Sequence, residues 1–148
     1  MKILKTFFTL FLLLSSMSAY SQVFSSCVEG TIRVDGNPAL ELCQGDGFDD
    51  TIRFRSSPQA TPYAYIVVNE DDIIVYASTS SFINFENLPD GNLRVFSVSY
   101  IGQFLGEVGD NYLEATLGSF CYRVSGNFIS ISNLTPMGGN VMTAAGET

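Results

Sequence analysis

The sequence predicts an all-β fold, an antiparallel Ig-like β-sandwich of seven or eight short strands. Three observations carry that expectation. No window sustains a 3.6-residue apolar period, so amphipathic helices are not expected. Thirteen glycines, twelve phenylalanines, seven tyrosines and many β-branched residues favour strands. Turn chemistry recurs every ten or so residues between short apolar runs, the spacing of a sandwich rather than of βαβ units.

Along the chain, Gly30 to Val34 (GTIRV) is a β-prone run, Asp35-Gly36-Asn37-Pro38 is strong turn chemistry, and Ala39 to Cys43 (ALELC) returns, so a first hairpin is expected. Thr51 to Arg55 (TIRFR) alternates Ile52 and Phe54 with polar residues, the mark of a half-buried strand with its arginines in water. Tyr63 to Asn69 (YAYIVVN) is apolar on both faces and belongs in the middle of a sheet. Glu70-Asp71-Asp72 turns it into Ile73 to Ala77 (IIVYA), the clearest hairpin in the chain. Ser81 to Phe85 leads through NLPDG into Leu93 to Tyr100, where Phe96, Val98 and Tyr100 share a face. The stretch from Ile101 to Ser119 is irregular, with one helical turn expected around Tyr112 to Thr116. CYRV and Asn127 to Ser132 close the domain as strands.

The first 21 residues have the build of a secretory signal peptide. Lys2 and Lys5 precede an apolar run from Phe7 to Leu14, and Ala19-Tyr20-Ser21 supplies small residues for cleavage. The run is too short to span a bilayer, and nothing downstream approaches the ~20 apolar residues needed, so no membrane insertion is expected after cleavage. The β-domain is then 22–133. Ser25-Ser26-Cys27 loosely resembles the end of a lipobox, but about ten polar or mixed residues separate it from the apolar run, which makes anchoring at Cys27 the weaker expectation. Residues 134–148 read either as a flexible tail or as the start of a second, truncated repeat. Gly139 to Thr143 repeats the pattern of Gly30 to Val34 after one domain length.

Charge narrows the function classes. Cleavage removes both lysines and leaves five arginines, no histidine and fifteen acids, a formal charge of −10. Nucleic-acid binding is driven by neutralising phosphates, so such a partner is not expected. Without histidine or lysine, hydrolase triads, histidine–metal sites and Schiff-base chemistry are excluded. A glycosidase-type carboxylate pair is not excluded by composition, but such pairs sit in clefts and these acids fall in turns.

The densest acidic stretch is Cys43 to Asp50, CQGDGFDD. Asp46, Asp49 and Asp50, with carbonyls freed by Gly45 and Gly47, offer the oxygens a calcium ion takes, and Glu70, Asp71, Asp72, Asp110 and Asn111 offer more. The spacing is not that of an EF-hand, and a solvated turn is the simpler reading. The aromatics Tyr63, Tyr65, Tyr76, Phe82, Phe85, Phe96 and Tyr100 can form a glycan platform, but alternation within strands favours core packing. Arg33, Arg53, Arg55, Arg94 and Arg123 are expected on solvated faces or paired with acids.

Three cysteines, Cys27, Cys43 and Cys121, lie in a chain expected to be exported, where disulfides persist, and an odd number leaves one unpaired within the chain. The ordered series CVEGTIRVDG, LCQGDGFDD, YAYIVVNEDDIIVYA, RVFSVSYIG, EVGDN and CYRVSGNFISI resembles a tandem Ig-like module of about a hundred residues in secreted and surface proteins of environmental Gram-negative bacteria. The resemblance covers essentially the whole mature chain. It implies Ig-like β-sandwiches repeated in long extracellular proteins, with further copies of the module as partners. The chain is accordingly expected to be a non-catalytic spacer or adhesion unit, the alternative being a calcium-stabilised carbohydrate- or protein-binding module, with a glycan or a surface protein as partner. The resemblance also implies a Cys27–Cys43 disulfide and a second bridge from Cys121, whose usual partner is replaced here by Leu93, leaving Cys121 an unpaired thiol. A Cys27–Cys43 bridge would close the first hairpin and be worth ~3 kcal/mol in the chain-entropy model. The competing pair, Cys43–Cys121, would staple opposite ends of the domain and leave Cys27 free.

Overall fold

The structure is a computed structural model that describes residues 27–36, 40–45, 47–58 and 62–135. The segment expected to be a signal peptide and the one expected to be a flexible tail or a truncated repeat therefore lie outside the described residues, as does Asp46. Nine strands and no helix occur among the described residues: β1 (Thr31–Val34), β2 (Glu41–Cys43), β3 (Thr51–Ser57), β4 (Tyr63–Val68), β5 (Ile74–Ser78), β6 (Phe82–Asn84), β7 (Gly91–Ile101), β8 (Cys121–Val124) and β9 (Ile129–Leu134). Two of them, β2 and β6, are three residues long, which is why the count exceeds the expected seven or eight.

Alternation does in β3 what the sequence implies. Ile52 and Phe54 are buried while Thr51 and Arg53 face water. β3 pairs antiparallel with β1 on one side and with β6 on the other, giving a three-stranded sheet in the order β1-β3-β6. The second sheet has six strands, β2-β9-β7-β4-β5, with β8 also on β7. As expected, β4 is internal, bonded to both β5 and β7.

The two sheets pack face to face as a β-sandwich. Ile32, Ile52, Phe54, Ile83 and Phe85 from the small sheet and its turn meet Tyr65, Val67, Leu93, Val95 and Ile131 from the large one. Phe54 lies at the centre, its ring 6.2 Å from that of Tyr65 and 6.3 Å from that of Phe85, both tilted.

Residues of the opposite parity on β4 and β7 do not reach solvent either. Ile66, Val68, Phe96 and Val98 are buried under the irregular segment between β7 and β8, which contributes Leu117 with Phe104, Tyr112 and Ala115. That segment holds itself in place by two isolated bridges, Ile73–Asn111 and Phe104–Gly118. The expected helical turn is present as a single turn closed by the Ala115 amide on the Asn111 carbonyl at 2.9 Å. The large sheet is thus covered on both faces, which explains why β4 reads as apolar throughout.

One pairing and one strand boundary are corrected. The run containing β1 does not form a hairpin with that containing β2; β1 pairs with β3, and β2 crosses to the other sheet to lie parallel to β9. Alternation specifies which side of a strand is buried but not which strand lies beside it. Asp35 reinforces the choice, since its amide donates to the Arg53 carbonyl at 2.8 Å and its carboxylate meets the side chains of Arg53 and Arg55. The last strand begins two residues later than expected because Asn127 is used otherwise. Its side chain accepts from the Ile32 amide at 2.9 Å and donates to the Ile32 carbonyl at 2.8 Å, standing in for a strand neighbour along β1. An edge that would otherwise offer unpaired backbone groups is capped there.

Candidate functional site

The long strand β7 defines two poles. At its Ile101 end it pairs with Cys121 of β8, and at its Gly91 end with Asn133 of β9. Candidate chemistry gathers at both.

The acidic loop sits at the Gly91 pole. Its backbone continues the β2–β9 ladder, the Gln44 amide donating to the Leu134 carbonyl at 2.9 Å, and the Gln44 side chain donates to the Leu88 carbonyl. The Gly45 amide donates to Glu86 Oε1 at 2.9 Å, and Thr51 Oγ1 donates to Asp49 Oδ1 at 2.6 Å. Asp50 uses its carbonyl to receive the Phe85 amide. These contacts fasten a turn. Asn133, fully buried beside them, donates its side-chain amide to the carbonyls of Phe85, Leu88 and Pro89, each at 3.2 Å. Glu86, which sequence reading does not single out, matters more to this corner than its neighbours in the chain suggest, and only the fold brings it there.

The other acids named for calcium are engaged separately. Glu70 accepts from the Asn92 side chain at 2.9 Å. Asp72, in the left-handed region at φ 64°, takes a 2.7 Å ion pair from Arg94, which also donates to the Asn69 carbonyl. Asp110 uses its carbonyl to accept the Ile74 amide and its carboxylate to accept the Glu107 amide. Asn111 accepts the Leu113 amide through its side chain at 3.0 Å. Among the described residues no three His, Cys, Asp or Glu side chains gather as a metal site would require. Asp49, Glu70, Asp72 and Asp110 each use a carboxylate oxygen within a turn or an ion pair, and Asp46 lies outside the described residues.

The disulfide corrects the cysteine assignment. Cys27 is bonded to Cys121, with Cα atoms 6.0 Å apart, and Cys43 is an exposed free thiol. The reason is topological: because β2 leaves β1 for the far sheet, Cys43 ends at the Gly91 pole beside Leu134, whereas Cys27 and Cys121 lie together at the Ile101 pole. The pairing implied by the family resemblance presupposes the hairpin that does not form.

Around that disulfide lies an open groove of about 810 Å³, lined by Glu29, Leu113, Phe120, Arg123 and others. Phe120 is 84 % exposed and Leu113 66 %. The aromatics weighed as a glycan platform do not line that groove. Tyr65, Phe85 and Phe96 are buried in the two cores, and Phe82 lies on the outer face of the small sheet with the Arg53 guanidinium 5.2 Å from its ring centre. Core packing, the reading that alternation favours, holds for the three buried rings.

The ionisable groups are tuned by structure in two places. The hydrogen bond from Arg55 holds the Asp35 carboxyl below its ordinary range, aided by the nearby arginine charges. Burial pushes the Tyr112 phenol upward, with the Asp72 charge adding to the effect. Neither arrangement resembles a poised acid–base pair.

The molecule is thus a two-layered β-sandwich with one oversized sheet covered on both faces. No protein-family profile matches the chain, and neither a curated protein nor a solved structure resembles it significantly.

Proposed function

We propose that the chain is an exported, non-catalytic β-sandwich module that serves as a spacer or adhesion unit at or beyond the cell surface. The observation that carries this reading is the placement of the chain ends of the folded domain. The polypeptide enters at Cys27, beside the Ile101 end of β7, and leaves at Thr135, whose hydroxyl is bonded to Asp90 at the Gly91 end. Ten residue steps separate those ends, or ~33 Å at the rise of a strand. A domain entered at one pole and left at the other adds its full length to whatever it connects, as a spacer must.

Two features support the setting. A disulfide persists in oxidising compartments, in keeping with export through the signal peptide that the first 21 residues lead one to expect. The acids sit in turns where their bonds are structural, and after the first five residues the chain has neither histidine nor lysine for acid–base or covalent chemistry.

Fractionation of cells producing the tagged full chain, followed by external protease, tests this reading. The chain is expected outside the inner membrane, shortened by about 21 residues as signal cleavage dictates. Full-length chain retained in the cytoplasm would overturn it.

A further inference from the structure

The disulfide and the topology together create a load path that omits most of the chain. We infer that the module is a tension-bearing strut, in which force applied at its two poles runs through the Cys27–Cys121 disulfide and the β8–β9 strap and bypasses residues 28–120. The use of such a strut rests on the spacer reading; its geometry does not.

β8 and β9 lie end to end along the same edge of β7 and run in the same direction. Cys121 stands opposite Ile101, Val124 opposite Val98, Ile129 opposite Val95 and Asn133 opposite Gly91. The strap therefore begins at the entry pole and finishes at the exit pole. A pull on Cys27 passes through its sulfur to Cys121 without loading β1 to β7, and a pull on the chain beyond Thr135 arrives at Leu134 in the same strap.

The strap is close to taut already. Twelve residue steps run from Cys121 to Asn133 against ten in the facing stretch of β7. Ten steps of strand span ~33 Å, and twelve steps fully extended reach at most about 43 Å. About 10 Å of slack results, and it resides in the link from Ser125 to Phe128. Even that link is fastened: the Ser125 amide donates to the Ser97 carbonyl at 2.8 Å, the Gly126 amide to the Gly30 carbonyl at 3.0 Å, and Asn127 holds both backbone groups of Ile32. Drawing out the slack breaks these bonds and slides β8 or β9 along β7, while residues 28–120 stay outside the load path.

Without the disulfide the same pull enters at Cys27 and must strip every strand in turn. The 94 residue steps from one cysteine to the other would then add length, roughly 300 Å at full extension.

Single-molecule pulling on the full chain, held by handles at its two ends, tests the inference in oxidised and reduced forms. Whatever the residues outside the domain contribute is the same in both and cancels. The oxidised chain is expected to show no domain step above about 20 Å, and the chain reduced with dithiothreitol, or C27S/C121S, to gain roughly 300 Å more at the same force. If C27S/C121S does not fold, its total extension still exceeds that of the oxidised chain by that amount. A step of several hundred ångströms in the oxidised chain, with only a small further gain on reduction, would overturn the inference, and is what a Cys27–Cys43 bridge would produce. Pulling is indifferent to where the cell places the protein. A failed localisation test thus leaves the strut standing, and a failed pulling test leaves the exported spacer standing.

Discussion

The large sheet has two faces, and they are buried by different means. Toward the small sheet, strand meets strand: Phe54, Ile83 and Phe85 interleave with Tyr65, Val67, Leu93 and Ile131. On the other side an irregular segment, 102–120, does the covering, and the only fully buried apolar side chain it supplies is Leu117. The second core therefore depends on one anchor and a handful of partly buried rings, among them Tyr112 stacked on Phe96 at 5.0 Å. Burial by regular strands spreads the dependence over many residues; burial by a loop concentrates it.

The largest effect is expected at the centre of the strand-built core. Phe54→Ala leaves a cavity ringed by both sheets and should cost about 3–5 kcal/mol in urea unfolding. Leu117→Ala should cost somewhat less, about 2–4 kcal/mol, and should additionally speed amide exchange at Leu105 and Gly109, whose bonds to Leu117 and Ile74 hold the cover down. A cost under about 1 kcal/mol for Leu117→Ala would erase the distinction between the faces, because the segment would then be a loop lying over the sheet and not a second core.

Smaller effects separate the two sides further. Asn127→Ala removes both bonds to the Ile32 backbone, and a loss of about 1–2 kcal/mol is expected, with faster exchange at the Ile32 amide. The two sides should also respond at opposite ends of the pH scale. Asp35, on the small sheet, has its folded pKa held below the ordinary value of 3.8, so the stability it adds is present above that value and fades as pH falls below about 4. Tyr112, in the cover, has its folded pKa raised above 10.0, so the unfolded chain releases that proton first and stability drops as pH climbs past 10. Melting curves of Asp35→Asn and Tyr112→Phe should flatten the acid and alkaline limbs respectively, each leaving the other limb unchanged.

The strand-built side is legible in the residues. Ile52 and Phe54 in TIRFR, and the doubly apolar YAYIVV, declare their burial through period-2 spacing and its absence. The cover is not legible, because 102–120 has no period to read; its apolar residues Phe104, Tyr112 and Leu117 are brought to one surface by turns and bridges whose pairing depends on the sheet beneath. The same limit governs the cysteines. Asp35-Gly36-Asn37-Pro38 is good turn chemistry, yet the chain beyond it crosses to the other sheet, and local sequence does not encode which strand waits there. Of the site, the acids stand out in the sequence and their roles do not. Asp49, Glu70 and Asp72 read as candidate ligands, whereas each is committed to a neighbour that only the fold supplies.

The load path between the two poles depends on Cys27 joining Cys121, and the arginines make that directly measurable. Cleavage after Arg33, Arg53 and Arg94 places the three cysteines on separate tryptic peptides. In a non-reducing digest of protein alkylated in its native state, the peptide ending at Arg33 is expected to be linked to Val95–Arg123, with Val34–Arg53 carrying an alkylated Cys43. A linkage between the peptide ending at Arg33 and Val34–Arg53, with Cys121 alkylated, would refute the pairing and the load path with it.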